Sequence, residues 1–136
     1  MLYAPRIELE GFDRITESDR QATMLDMIEA NLIGFNVRWL HLFKVPSLYT
    51  PGLVRFLREP RGQDDWQNIP RTLQLRSGDC EDLVGWRVAE LRASGEDVGA
   101  RPRVQRFEEG GDVEYHFTLI RSNGQIEDPS RRLGMP

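Results

Sequence analysis

The sequence predicts an α+β fold, with helices first and a small antiparallel sheet second. Three observations carry that expectation. Apolar residues recur at helical spacing in two long stretches, 22–43 and 80–91. Beyond residue 100 the period shortens to the alternation of strands. Asn123-Gly124 then separates two strand-like runs, as a hairpin turn does.

Composition narrows the function. With 136 residues the chain is long enough for one domain and too short for two good cores. The expected organisation is an arm, 1–17, and a single domain, 18–136. Hydrophobic residues at 39% and charged residues at 29% describe a globular composition. A net charge of −4 argues against a broad nucleic-acid or anionic-membrane surface. No apolar run approaches the roughly 18–20 residues of a membrane span. Met1 to Arg6 lacks a basic stretch followed by an apolar one, so no secretory signal is expected and the cytoplasm is the expected compartment.

The elements follow in order. Residues 1–17 contain Pro5 and Gly11 and read as an irregular or short-strand arm. Ser18 and Gln21 have capping-box spacing. Ala22, Leu25, Ile28, Leu32, Phe35, Trp39 and Phe43 then predict a helix over about 19–43, with Gly34 speaking against a straight one. Residues 44–70 are punctuated by Pro and Gly. They suggest a short helix near Leu53–Arg58 and a loop carrying Asp64-Asp65-Trp66. Residues 71–76 suit a single helical turn. Asp79 is a good N-cap, with Asp82 three residues later. Cys80, Leu83, Val84, Val88 and Leu91 fall on one face of the helix it starts, and Gly95 closes that helix. Arg101–Phe107, Val113–Ile120 and Gln125–Asp128 read as strands, with Glu108 to Asp112 as an exposed loop.

A single cysteine, Cys80, excludes an internal disulfide and a multi-cysteine zinc site, and only His41 and His116 offer imidazole. Cys80 falls in the first turn of a helix. The helix dipole there favours an anion, so a lowered thiol pKa is expected, with backbone N–H groups nearby for an oxyanion; the flanking acids Asp79 and Glu81 oppose it unless they point away to cap the helix or a positive group neutralises them. The structural alternative is a buried, inert cysteine. His116 lies mid-strand between Tyr115 and Phe117, where an imidazole suits a general base or a half-buried structural role. His41, late in the long helix, is the weaker candidate.

Asp128 supplies the carboxylate a histidine base needs to fix its tautomer, or else a turn residue before Pro129. The hairpin register decides between these. A two-residue loop, Asn123-Gly124, pairs Leu119 with Asp128 and puts His116 and Asp128 on opposite faces. A three-residue loop, Ser122-Asn123-Gly124, pairs Thr118 with Asp128 and brings Asp128 diagonal to His116 on one face. The catalytic reading requires the three-residue loop.

Asp65-Trp66-Gln67-Asn68-Ile69-Pro70, Gly78-Asp79-Cys80-Glu81-Asp82, Leu91-Arg92-Ala93-Ser94-Gly95, Tyr115-His116-Phe117 and Glu127-Asp128-Pro129 together resemble the transglutaminase-like superfamily of cysteine peptidases. The similarity covers about residues 64–130 and points to the bacterial transglutaminase-like cysteine proteinase branch. Leu48 to Gly52 and Glu59-Pro60 also resemble small phage-encoded members. The resemblance implies a papain-like arrangement, with a cysteine-bearing helix on an antiparallel sheet. It implies Cys80 as nucleophile, His116 as base and then acid, and Asp128 as the orienting carboxylate. The Cys80 backbone N–H is the expected first oxyanion donor, with Gln74 and Trp66 as candidates for the second; Trp66 suits a core anchor equally well.

The resemblance further implies calcium on Asp79 and Glu81, with Asp82 as a third ligand. As helix-start acids these residues equally suit the dipole alone. Members of that branch are typically exported, whereas this chain shows no signal. Only eight residues follow Asp128, so the later strands of the family are missing or supplied elsewhere, and the arm 1–17 could pair with the sheet or with a partner chain. Two functions compete. One is a thiol-dependent peptide or amide hydrolase, or an acyl-transferase, with a protein or peptide substrate and no required cofactor. The other is a phage virion or assembly component that works with phage structural proteins and uses the fold as a scaffold. The corresponding locations are the host cytoplasm and the virion.

Overall fold

The computed structural model describes residues 17–60 and 65–136. The expected arm and the Asp64 part of the following loop lie outside the described residues. Helix α1 spans Glu17–Leu42, strand β1 Arg55–Phe56, α2 Ile69–Leu75, β2 Ser77–Gly78 and α3 Cys80–Ser94. Strands β3 (Arg101–Glu109), β4 (Asp112–Ile120) and β5 (Ile126–Glu127) follow, and α4 covers Pro129–Arg132. The architecture is α+β, as expected.

Helix α1 continues through Gly34 as one element. Ser18 lies inside it, so the expected cap there is not the helix start. Its buried side carries Glu29, Leu32, Ile33 and Asn36 and packs on α3. Gly85 on α3 is what permits the close approach. A Cβ there would stand 2.8 Å from Leu32 Cδ2 and 3.2 Å from Glu29 Oε1.

The helix expected near Leu53–Arg58 does not form. Arg55 and Phe56 instead pair in parallel with Ser77 and Gly78. The N–H groups of Arg55, Phe56 and Leu57 donate to the carbonyls of Arg76, Leu133 and Gly78. These partners lie far along the chain, and they satisfy the backbone without a local helix. The single turn expected at 71–76 is a seven-residue helix, α2. It starts earlier because the Asn68 side chain accepts the Arg71 N–H and caps it.

Helix α3 is the centre of the molecule. Asp79 caps it reciprocally with Asp82, and Gly95 ends it at φ 78°. The expectation of one apolar face is too narrow, since every residue from Cys80 to Ala89 is buried. One core, containing Ile33, Val84, Val88, Phe117 and Leu119, joins α3 to α1 and the sheet. A second, containing Leu48, Val54, Ile69, Leu83 and Trp86, fills its other side.

The sheet has the order β3-β4-β5, antiparallel throughout. The expected loop at 108–112 is a tight turn at Gly110-Gly111 between the paired Glu109 and Asp112. At the other end Leu119 pairs with Glu127 and Ile120 with Ile126, and the Arg121 N–H donates to Gln125 O at 2.8 Å. The loop is therefore Ser122-Asn123-Gly124, the register that the catalytic reading requires. Gly124 takes the left-handed position at φ 87°. Among the described residues, no helix is long and apolar enough to cross a membrane.

Candidate active site

The register sets the first pair of site residues. Continued one step beyond Leu119–Glu127, it places Asp128 opposite Thr118 and diagonal to His116. His116 Nε2 and Asp128 Oδ2 stand 2.9 Å apart, both side chains mostly shielded. Asp128 also caps α4 by accepting the Arg131 N–H at 3.3 Å, and Arg131 Nε lies 3.5 Å from Oδ2. An ionised Asp128 accepts the Nε2–H, which leaves Nδ1 as the nitrogen for a thiol proton.

Cys80 is the first residue of α3 and is only 7% exposed. It shares a cavity of about 510 Å³ with His116, whose walls include Trp66, Asp79, Glu81 and Phe117. Within that cavity the thiol donates to Glu81 Oε2 at 3.3 Å. Among the described residues, no hydrogen bond joins Cys80 to His116.

The expected lowering of the thiol pKa is overturned. Burial pushes the thiol up strongly, and the Glu81 carboxylate adds to this. The Phe117 backbone N–H works in the opposite direction, and Asp79 raises the thiol further. The helix dipole is thus outweighed by desolvation and by two acids at the helix start, Glu81 of the first turn and the N-cap Asp79. The expected first oxyanion donor is also occupied, because the Cys80 N–H donates to Asp79 Oδ1 at 2.8 Å.

Of the two further oxyanion candidates, Trp66 lines the cavity and meets the Phe117 ring edge-on at 5.6 Å between centroids. Gln74 does not line it. It lies exposed on α2 and accepts from Arg71 at 2.8 Å. The buried glutamine is Gln67, whose Nε2 donates to Ser77 O at 2.9 Å. His41 is exposed in the last turn of α1, away from the cavity.

Carboxylates crowd the start of α3. Asp79 caps the helix and accepts the Glu59 N–H at 3.1 Å. Asp82 is fully buried and accepts the N–H groups of Gln67 (2.7 Å) and Asp79 (3.0 Å). Burial and Asp79 push Glu81 up to about 7. Burial and Glu81 push Asp82 up to about 8, against those two N–H groups. Glu29 reaches in from α1, fully buried, with both oxygens lacking a hydrogen-bond partner among the described residues. Burial raises it first, then the charges of Glu81 and Asp82. Donor atoms of Asp79, Cys80 and Glu81 lie within 4.8 Å of one another, as do those of Glu59, Glu81 and Asp82. The oxygens form a hard donor set that suits calcium, and the sulfur does not.

Sequence reasoning missed Glu29 and Gln67. Glu29 had a signal. Leu25, Glu29, Leu32 and Asn36 follow core spacing on α1, so two polar residues sit where apolar ones are expected. It also missed the partners of Glu127, which accepts from Tyr49, Arg87 and Arg121. Compared with known proteins, the chain matches no family model, no curated protein and no solved structure.

Proposed function

We propose that this protein is a thiol-dependent amide hydrolase or acyl-transferase of papain- and transglutaminase-like arrangement, acting on a protein or peptide substrate. The observation that carries the reading is the 2.9 Å pair of His116 and Asp128 on the wall of a cavity that also holds the only cysteine, at a helix N-terminus. Asp128 fixes the imidazole with Nε2 protonated. Nδ1 takes the proton from Cys80 Sγ, and the thiolate attacks the amide carbonyl. The imidazolium then protonates the leaving amine, an acyl-enzyme remains, and water or an amine releases it. For this sequence Glu81 must be neutral or turned away from the sulfur. With its pKa near 7, mild acid achieves the first. Calcium held by Asp79 and Glu81 would supply the same neutralisation when bound. A melting temperature unmoved by millimolar calcium removes that part of the reading.

The thiol–Glu81 hydrogen bond favours a second reading. In it the fold serves as a scaffold, for instance in a phage virion, and the triad is silent. Iodoacetamide at pH 6 separates the two. Alkylation of Cys80 faster than a model thiol, and slowed in His116→Ala, supports the enzyme. A rate at or below that of the model thiol in both proteins leaves the scaffold.

A further inference from the structure

The position of Asp128 rests on very little local structure. Strand β5 has two residues and makes two pairs with β4, and α4, which Asp128 caps, has four residues. Elements this short do not hold a side chain to hydrogen-bond tolerance by themselves. The residue just before Asp128 is held by side chains from three other parts of the fold. Glu127 Oε2 accepts Tyr49 Oη at 2.6 Å and Arg87 Nε at 2.8 Å, and its Oε1 accepts Arg121 Nη2 at 2.8 Å. The Arg87 and Glu127 side chains are only 10% and 17% exposed, so these charge-assisted bonds are well shielded from water.

The clamp reaches further on both sides. Arg87 also binds Glu90 at 2.8 Å, and Glu90 accepts the Leu48 N–H at 2.8 Å, which anchors the loop carrying Tyr49. The Tyr49 ring lies against Arg87 and Arg132, with 4.6 Å and 3.9 Å from guanidinium carbon to ring centroid. Arg132 belongs to α4. Asp128 is thus bracketed, by Glu127 before it and by Arg132 after it. Both brackets close on Tyr49, and the Glu127 bracket also closes on Arg87, about two turns beyond Cys80 on α3.

We infer that Tyr49, Arg87, Arg121 and Glu127 are positioning residues, a clamp that references the strand end bearing Asp128 to the helix bearing Cys80 and so keeps Asp128 on His116. The inference rests on the catalytic reading only for its purpose. The mechanical claim concerns the His116–Asp128 bond. None of these side chains lines the cavity among the described residues, so the clamp acts through Asp128 and not on a substrate.

Nitrogen-15 NMR of the His116 imidazole tests it, read in the wild type, Tyr49→Phe and Glu127→Gln. Leu73→Ala, in the periphery of the second core, serves as a control for general destabilisation. The expected result is a single Nε2–H tautomer in the wild type and Leu73→Ala, and mixed tautomers in Glu127→Gln, with Tyr49→Phe between. Cys80 alkylation at pH 6 is expected to fall at least about tenfold in Glu127→Gln and to stay unchanged in the control. An unchanged tautomer in Glu127→Gln, or an equal change in Leu73→Ala, overturns the clamp. The two proposals fail separately. Tautomer mixing with a thiol that never outpaces a model thiol supports the clamp and sinks the enzyme. His116-dependent alkylation indifferent to Glu127→Gln keeps the enzyme and sinks the clamp.

Discussion

Helix α3 touches two groups of carboxylates, one half-buried and one buried, and they are treated in opposite ways. Glu127, beside Arg87, has two guanidiniums and a phenol on its oxygens. Burial alone would raise it, but the bonds from Arg87, Tyr49 and Arg121 bring its carboxyl below the usual range. Glu29, Glu81 and Asp82, beside the helix start, have no guanidinium or ammonium hydrogen-bond partner among the described residues, and all three are raised. The groups differ in burial, Glu127 being half-buried and the other three buried, and they differ in compensation. An ordinary fold satisfies its buried charges, as the Glu127 group does. The group without a cationic partner among the described residues surrounds the only cysteine, and such unbalanced groups are where function concentrates.

Removing a charge should therefore have opposite signs at the two places. The largest effect is expected for Arg87→Met, which leaves Glu127 and Glu90 short of a cation in a shielded site. Urea unfolding should show a loss of about 3–5 kcal/mol. Glu29→Met removes, at similar volume, a buried carboxyl that has no hydrogen-bond partner among the described residues. It should stabilise the protein, by about 1–3 kcal/mol at pH 8. Destabilisation by Glu29→Met would show that Glu29 has a partner that compensates it.

The same contrast has a pH signature. Glu81 at about 7 and Asp82 at about 8 lie above their unfolded values near 4. The folded state holds protons there that the unfolded chain has released. Their contribution is complete below about pH 4 and is lost as pH rises through 7 to 8. Glu127, lowered, contributes in the opposite sense, and its share is lost only as pH falls below about 4. Denaturant midpoints measured from pH 5 to pH 8 should fall in the wild type and fall less in Glu81→Gln. A midpoint that rises over this range contradicts the assignment.

The fold was legible where local rules and tertiary packing agree. Asp79 with Asp82, Gly95, and the Asn123-Gly124 turn each mark their own place, and α3 and the β4–β5 hairpin followed from them, with the hairpin register left between two loop lengths. Residues 53–58 misled because the partners of β1 come from Arg76, Gly78 and Leu133, which no local pattern reveals. For the site, period-two geometry reduced the His116–Asp128 contact to a choice between two loop lengths, and the observed three-residue loop is the one that makes it. The state of the thiol did not follow from such geometry. The sequence sets the dipole against the flanking acids Asp79 and Glu81 but does not say which prevails, because burial and the inward turn of Glu81 depend on how α1 and the sheet close over the helix start. Glu127 could be read as part of a motif, but its clamp joins residues 78, 40 and 6 positions away in sequence.

A smaller effect sharpens the comparison at the sulfur itself. Glu81→Gln removes the charge that adds to burial in raising the thiol. Alkylation of Cys80 at pH 8, where Glu81 is ionised, should quicken about tenfold, one pKa unit's worth. At pH 6, where wild-type Glu81 is already largely neutral, the two proteins should differ little. An equal gain at both pH values would point to loosened packing instead of charge.

The most direct test of the central claim is the thiolate absorbance of Cys80 near 240 nm, titrated in Glu81→Gln against a Cys80→Ser blank, with and without His116→Ala. If sulfur and imidazole share a proton, the thiolate signal should appear below the ordinary thiol value of about 8.5 and retreat to higher pH when His116 is removed. A thiol that stays protonated beyond that value in both backgrounds would mean that Cys80 is a core residue and His116 merely its neighbour.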